Sequence, residues 1–139
     1  FHYVTSYRIT PLHYVQTIVS KAAGDAPDPQ ETLHADSFHA SMKAWLFLRD
    51  VAKDDGPFVY VPGSHRFTPE RLAWEHTRSQ RDPREIDRLS ARGSPRVDAA
   101  DLGTMALPDP VALAVPANTL VVADTVGFHA RGPAAQAGE

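Results

Sequence analysis

The sequence predicts an all-β sandwich or barrel carrying one helical, charged insertion. Three observations point there. Short runs of aromatic and β-branched residues recur in the first and last parts of the chain. Twelve prolines scattered through 139 residues favour many short strands and turns over long helices. Between the early and late strand-like runs lies a charged stretch with few large apolar residues, and strands, a helical excursion and strands again is the order of a β fold with an elaborated connection.

Taken in order, Phe1 to Ile9 (FHYVTSYRI) reads as a strand. Thr10-Pro11 interrupts it, and Leu12 to Val19 is a second strand or a short helix. Gly24 to Gln30 (GDAPDPQ) is a loop, and Glu31 to Asp36 a short strand. Lys43 to Val51 (KAWLFLRDV) is the strongest strand. One of its faces carries Lys43, Trp45, Phe47, Arg49 and Val51, a mixture suited to a pocket wall; the other carries Ala44, Leu46, Leu48 and Asp50 and reads as core at its centre. Ala52 to Gly56 is a turn, Phe58 to Val61 the return strand, and Pro62-Gly63 ends it. Thr68 to Arg96 interleaves seven arginines with acids and reads as two short surface helices split by Asp82-Pro83, inside a surface insertion of about 68–108. Val111 to Val115 and Thr119 to Ala123 are strands joined by the Pro116-Ala117-Asn118 turn, and the second is expected to run on through Asp124 to His129.

The length fits about one domain, residues 1–139, with a real core. The opening inside a strand-like run and the Gly138-Glu139 end suggest a fragment. A net charge of −3 gives no polyanion-binding signal, so nucleic acid is not an expected partner. No apolar run approaches the ~20 residues of a membrane span, and no signal-peptide pattern opens the chain. Zero cysteines exclude disulfides, zinc fingers, iron–sulfur ligation and cysteine nucleophiles, and suit a cytoplasmic protein.

The chemistry concentrates at His34-Ala35-Asp36. In an extended segment residues i and i+2 share a face, about 7 Å apart along the chain, so both side chains project together as two ligands of one metal must. Alone the pair is weak, since chance supplies roughly 0.6 such triplets in this composition. A mononuclear iron(II) oxygenase needs two histidines and one carboxylate on one side of the metal. For the third ligand the candidates are His65, in a Pro-Gly turn; His76, in the charged insertion; and His129, at the end of a β segment far downstream. His129 is the best of the three.

The stretch HADSFHASMKAWLFLRDVAKDDGPFVYVPGSHR, followed late in the chain by ADTVGFHARG, resembles the phytanoyl-CoA dioxygenase family of iron(II)- and 2-oxoglutarate-dependent oxygenases. The matching pieces are His-x-Asp, the Trp-bearing strand, Asp-Gly-Pro before an aliphatic strand, Pro-Gly-Ser-His and a late Asp…Phe-His. The resemblance implies a double-stranded β-helix, the jelly-roll core shared with cupins. It implies that His34, Asp36 and His129 are catalytic iron ligands, that Trp45 lines the 2-oxoglutarate site, and that His65 belongs to a structural turn. It further implies hydroxylation of a small molecule with O₂, because Asp36 fills the position a related halogenase would leave open for chloride. The family's carboxylate-binding arginine, about eleven residues past the distal histidine, would fall just beyond Glu139. Arg131, on the same strand face as His129, is the anion-binding candidate in its place. The alternatives are a non-catalytic cupin-like protein that binds metal or a small ligand, and a zinc hydrolase using the same three residues.

Overall fold

The computed structural model describes residues 28–134 together with Thr10, Leu12, His13, Val15 and Gln16. The strand expected over Phe1 to Ile9, half of the Leu12 to Val19 segment and most of the Gly24 to Gln30 loop lie outside the described residues. In order come β1 (Met42–Phe47), β2 (Phe58–Tyr60), α1 (Pro69–Ser79), a 3₁₀ turn (Ser90–Arg92), α2 (Ala99–Thr104), β3 (Val111–Leu113), β4 (Thr119–Asp124) and β5 (His129–Arg131).

The strands form two antiparallel sheets. In one, β1 pairs with β4, with Trp45 opposite Val121 and Leu46 opposite Leu120. The other has the order β3-β2-β5, and isolated bridges from His34 to His129 and to Arg96 extend its β5 edge. Tyr60, His129, His34 and Arg96 are therefore consecutive cross-strand neighbours. Directly opposed residues project to the same face. That face meets β1: the Trp45 ring lies 4.7 Å from Phe58, and Phe58 lies 5.8 Å from His129. Between the sheets is a cleft of about 490 Å³ lined by Phe58, Tyr60, Leu113, Val121 and Ala123, among others.

The opposite face of the second sheet is the core. Ala35, Val61 and Val97 pack there with Phe128 and with Trp74, Leu102 and Met105 from the helical segment. Local chemistry explains the helices. Thr68 caps α1 by accepting from the Arg71 backbone N–H, Pro69 opens it, and Arg78 and His76 sit in its last turn. Asp82-Pro83 follows, and the residue before a proline avoids helical backbone. Asp98 and Asp101 form a capping box on α2, and Trp74 Nε1 donates to Asp101 Oδ1 at 2.7 Å, tying the helices together.

The architecture is β strands in two sheets with two α-helices among the described residues, and several expectations need correction. The segment 68–108 does not ride on the surface: it supplies four of the seven buried apolar residues of the core cluster and buries Arg71 as well. Its arginines mask the apolar spacing that does this. Only its first expected helix forms; the part after Pro83 is turns and a 3₁₀ turn, and α2 lies further on. The strong strand stops at Phe47, and Val51 makes only a bridge to Val115. Its mixed face turns inward, whereas Leu46 and Leu48, expected in the core, are 56% and 67% exposed and continue across β4 into Leu120 and Val122. The strand expected to run from Thr119 to His129 breaks at Thr125–Gly127, where Gly127 N donates back to Asp124 O. A Cβ on Gly127 would collide with the Tyr60 hydroxyl, so the turn needs glycine.

Candidate metal centre

The segment 34–36 is stitched into the fold on both sides. His34 N donates to His129 O and His129 N to His34 O, each at 2.9 Å. Asp36 N donates to Thr125 O at 2.9 Å, and on the other side Ala35 N donates to Pro95 O at 3.1 Å. Only His34 makes a β bridge here, so the expected short strand reduces to one paired residue, yet its backbone bonds still aim both ligands one way. The imidazole rings of His34 and His129 lie 4.6 Å apart. One ligand atom from each of His34, Asp36 and His129 falls within 4.8 Å of the others. His129 Nε2 is 3.7 Å from Asp36 Oδ1.

Both histidines have a fixed tautomer. His34 Nδ1 lies 2.7 Å from Thr32 O, and His129 Nδ1 lies 2.9 Å from Gly127 O. A carbonyl only accepts, so each Nδ1 carries the hydrogen and each Nε2 keeps a lone pair for a ligand. This backbone-to-imidazole arrangement is the support that metal-binding histidines use.

Burial also holds them neutral. It pushes His34 down to about 4, against the pull of the Thr32 carbonyl, and it lowers His129 against the Gly127 carbonyl. Burial alone would raise Asp36, but the hydrogen bond and charge of Lys43, helped by Thr125 and His129, bring its pKa below the ordinary value. Lys43 Nζ lies 2.7 Å from Asp36 Oδ2 as an ion pair. Two imidazole lone pairs and an ionised carboxylate, with one atom of each within 4.8 Å of the others, fit a divalent transition metal.

The histidine shift has a measurable consequence. Between pH 6.5 and about 4 the unfolded chain binds a proton at His34 that the folded chain excludes, so stability is full above 6.5 and falls as pH drops through this window. The loss is on the order of 3 kcal/mol. Urea unfolding at pH 7.5 and 4.5, on the protein and on His34→Gln, is expected to show a clearly larger loss in the former, the variant keeping only the share that comes from His129 and other groups. Equal slopes would mean His34 is not held neutral.

The remaining sequence-derived candidates divide. Trp45 reaches His129 only through Phe58. Arg131 shares the strand with His129, but its guanidinium pairs with Asp28 and lies 3.8 Å from Glu31. His65 and His76 are exposed, on the turn after Val61 and on α1. Sequence reasoning missed Thr125, Ser64, Arg71 and Arg96. The Ser64 hydroxyl donates to Val61 O and accepts from Phe128 N, holding the residue before His129. It stood within a quoted motif credited only as a turn. Arg96 has no sequence signal, because its place beside His34 depends on a long-range bridge.

Two histidines paired across one sheet edge, with the carboxylate of Asp36 beside them, form a group that could hold a single metal ion in a mostly β protein. The family model for phytanoyl-CoA dioxygenase (PhyH) matches residues 4–102, and the chain belongs to that family. The matched span contains His34 and Asp36; His129 lies beyond it and enters the site through geometry. No curated protein and no solved structure matches the chain.

Among the described residues no helix is long and apolar enough to cross a membrane.

Proposed function

We propose that the protein is an iron(II)- and 2-oxoglutarate-dependent dioxygenase that hydroxylates a small molecule in the cytoplasm. Its two sheets would be walls of a double-stranded β-helix, and His34, Asp36 and His129 would hold the iron. The observation that carries this reading is the pair of Nδ1-anchored imidazoles converging with the Asp36 carboxylate, in a chain of an oxygenase family. Iron(II) held by three protein ligands would offer open positions for the oxo acid and O₂ and supply the oxidising chemistry.

The chain's own residues do the rest. Lys43 keeps Asp36 ionised, and Thr32 and Gly127 keep both imidazoles aimed. Phe58 is an apolar wall of the intersheet cleft and packs against both Trp45 and His129, which puts apolar surface beside the reacting face. The cosubstrate is assigned to this cleft, with Trp45 packed against its Phe58 wall. Arg131 is left out of the cosubstrate site, because its charge is engaged by Asp28.

Anaerobic addition of 2-oxoglutarate to the iron(II)-loaded protein is expected to produce the weak visible charge-transfer band of a chelated oxo acid. Iron binding without that band would instead favour a cupin-like protein that binds metal without turnover. One observation supports that second reading: Lys43 stands against Asp36 Oδ2 and competes with a metal for it.

A further inference from the structure

Arg96 is the fourth member of the row Tyr60–His129–His34–Arg96, directly across the backbone bridge from His34. Opposed residues of an antiparallel pair place their side chains on one face with Cβ atoms about 5 Å apart. The arginine therefore emerges on the ligand face. The bridge is firm: Val97 N donates to Leu33 O at 3.0 Å and Ala35 N to Pro95 O at 3.1 Å.

Resting on the reading of the centre given above, we propose that Arg96 binds a carboxylate of the molecule oxidised there, which makes the substrate class a small organic anion.

The side chain is tethered at one end and, among the described residues, open at the other. Nη1 donates to Ser94 Oγ at 2.7 Å and Ser94 O at 3.1 Å, while Ser94 Oγ donates to Ala35 O at 2.7 Å. The guanidinium is thus fixed to the segment that carries two of the ligands. Among the described residues, Nε and Nη2 make no hydrogen bond and the group joins no ion pair. A half-buried guanidinium with one free edge presents the planar fork that carboxylates fit in a two-bonded manner.

The charges facing Arg96 are Asp87, Asp36, His34 and His129. Asp87 spends its Oδ1 on the backbone N–H groups of Leu89 and Ser90, and Asp36 is paired with Lys43. Neither neutralises the arginine at contact distance. The bridge to His34 sets this positive charge beside the centre.

Position separates substrate from cosubstrate. The intersheet cleft lies on the Tyr60 and Phe58 side of His129, and Arg96 lies at the opposite end of the row, beyond His34. An oxo acid seated in the cleft leaves Arg96 to a second molecule approaching from the other side.

The test uses the cobalt(II)-loaded protein and its Arg96→Gln and Arg96→Lys variants, with the visible cobalt spectrum as the reporter. Cobalt(II) affinity is expected to be equal in all three. 2-Oxoglutarate is then titrated, followed by a panel of small carboxylic acids and their primary amides. Acids that perturb the wild-type spectrum should bind about 10- to 100-fold more weakly to Arg96→Gln and less weakly to Arg96→Lys, with amides indifferent to both changes. If 2-oxoglutarate alone loses affinity, Arg96 serves the oxo acid and the substrate assignment is overturned. Acids that bind no better than amides, or equally to wild type and Arg96→Gln, overturn the proposal outright. A wild-type protein with no cobalt spectrum would sink the metal centre first, and this inference with it. Should Arg96→Gln lose cobalt, Arg96→Lys against wild type carries the comparison.

Discussion

Asp36→Ala is expected to weaken cobalt(II) or iron(II) binding by about 100-fold or more, with little change in folding. Removing even a supporting partner of a ligand costs 10–100-fold, and this change removes a donor and its negative charge together. The fold should tolerate it. Asp36 is partly exposed, Lys43 is half exposed and returns readily to water, and such pairs contribute within about 1 kcal/mol. The backbone bond from Asp36 N to Thr125 O survives in alanine. Metal titration beside urea unfolding separates the two effects. Tight binding retained by the variant would mean that Asp36 is not a ligand.

Arg71→Met is expected to cost about 3–5 kcal/mol of stability, the largest loss from any single polar residue described here. The side chain is 2% exposed. Its Nη1 donates to Ser64 O at 2.8 Å, Nη2 to Val126 O at 3.3 Å, and Nε and Nη2 both reach Glu75 Oε1. The guanidinium lies 4.0 Å from the Phe128 ring centre. Methionine fills the space but abandons two carbonyls and an acid. Ser64 and Val126 flank the turn that delivers His129, so metal affinity should fall along with stability. Arg71→Lys should recover part of both. Chemical unfolding checks the first and cobalt titration the second; a loss under about 1 kcal/mol would show that water replaces the arginine's bonds.

That His34, Asp36 and His129 come together was readable in the sequence, because two of them are two residues apart and the third ends a β-rich run. What joins them was not readable. His34 and His129 meet through a single backbone bridge between segments with no strong strand pattern of their own. The face assignment of Lys43 to Phe47 followed from alternation, but which face meets the protein did not. The side with Leu46 and Leu48 at its centre looked like core there, while Trp45 on the mixed side gains its burial from Phe58. The helical stretch misled for a related reason. Arg71 looks like a solvated charge until Phe128, Ser64 and Val126 arrive from elsewhere in the chain. Arg96 could not be singled out among seven arginines without its partner strand.

The reciprocal pair of backbone bonds between His34 and His129 ties chelation to the alignment of the sheet. Side chains alternate along extended backbone, so sliding one segment by a single position would turn an imidazole from the cleft to the side packed by Trp74 and Leu102. There is no intermediate alignment that keeps two nitrogens on one ion. Opening of this sheet edge and loss of the ligand set are then one cooperative event. Bound metal should therefore slow hydrogen exchange at the amides of His34 and His129 together, as a single unit.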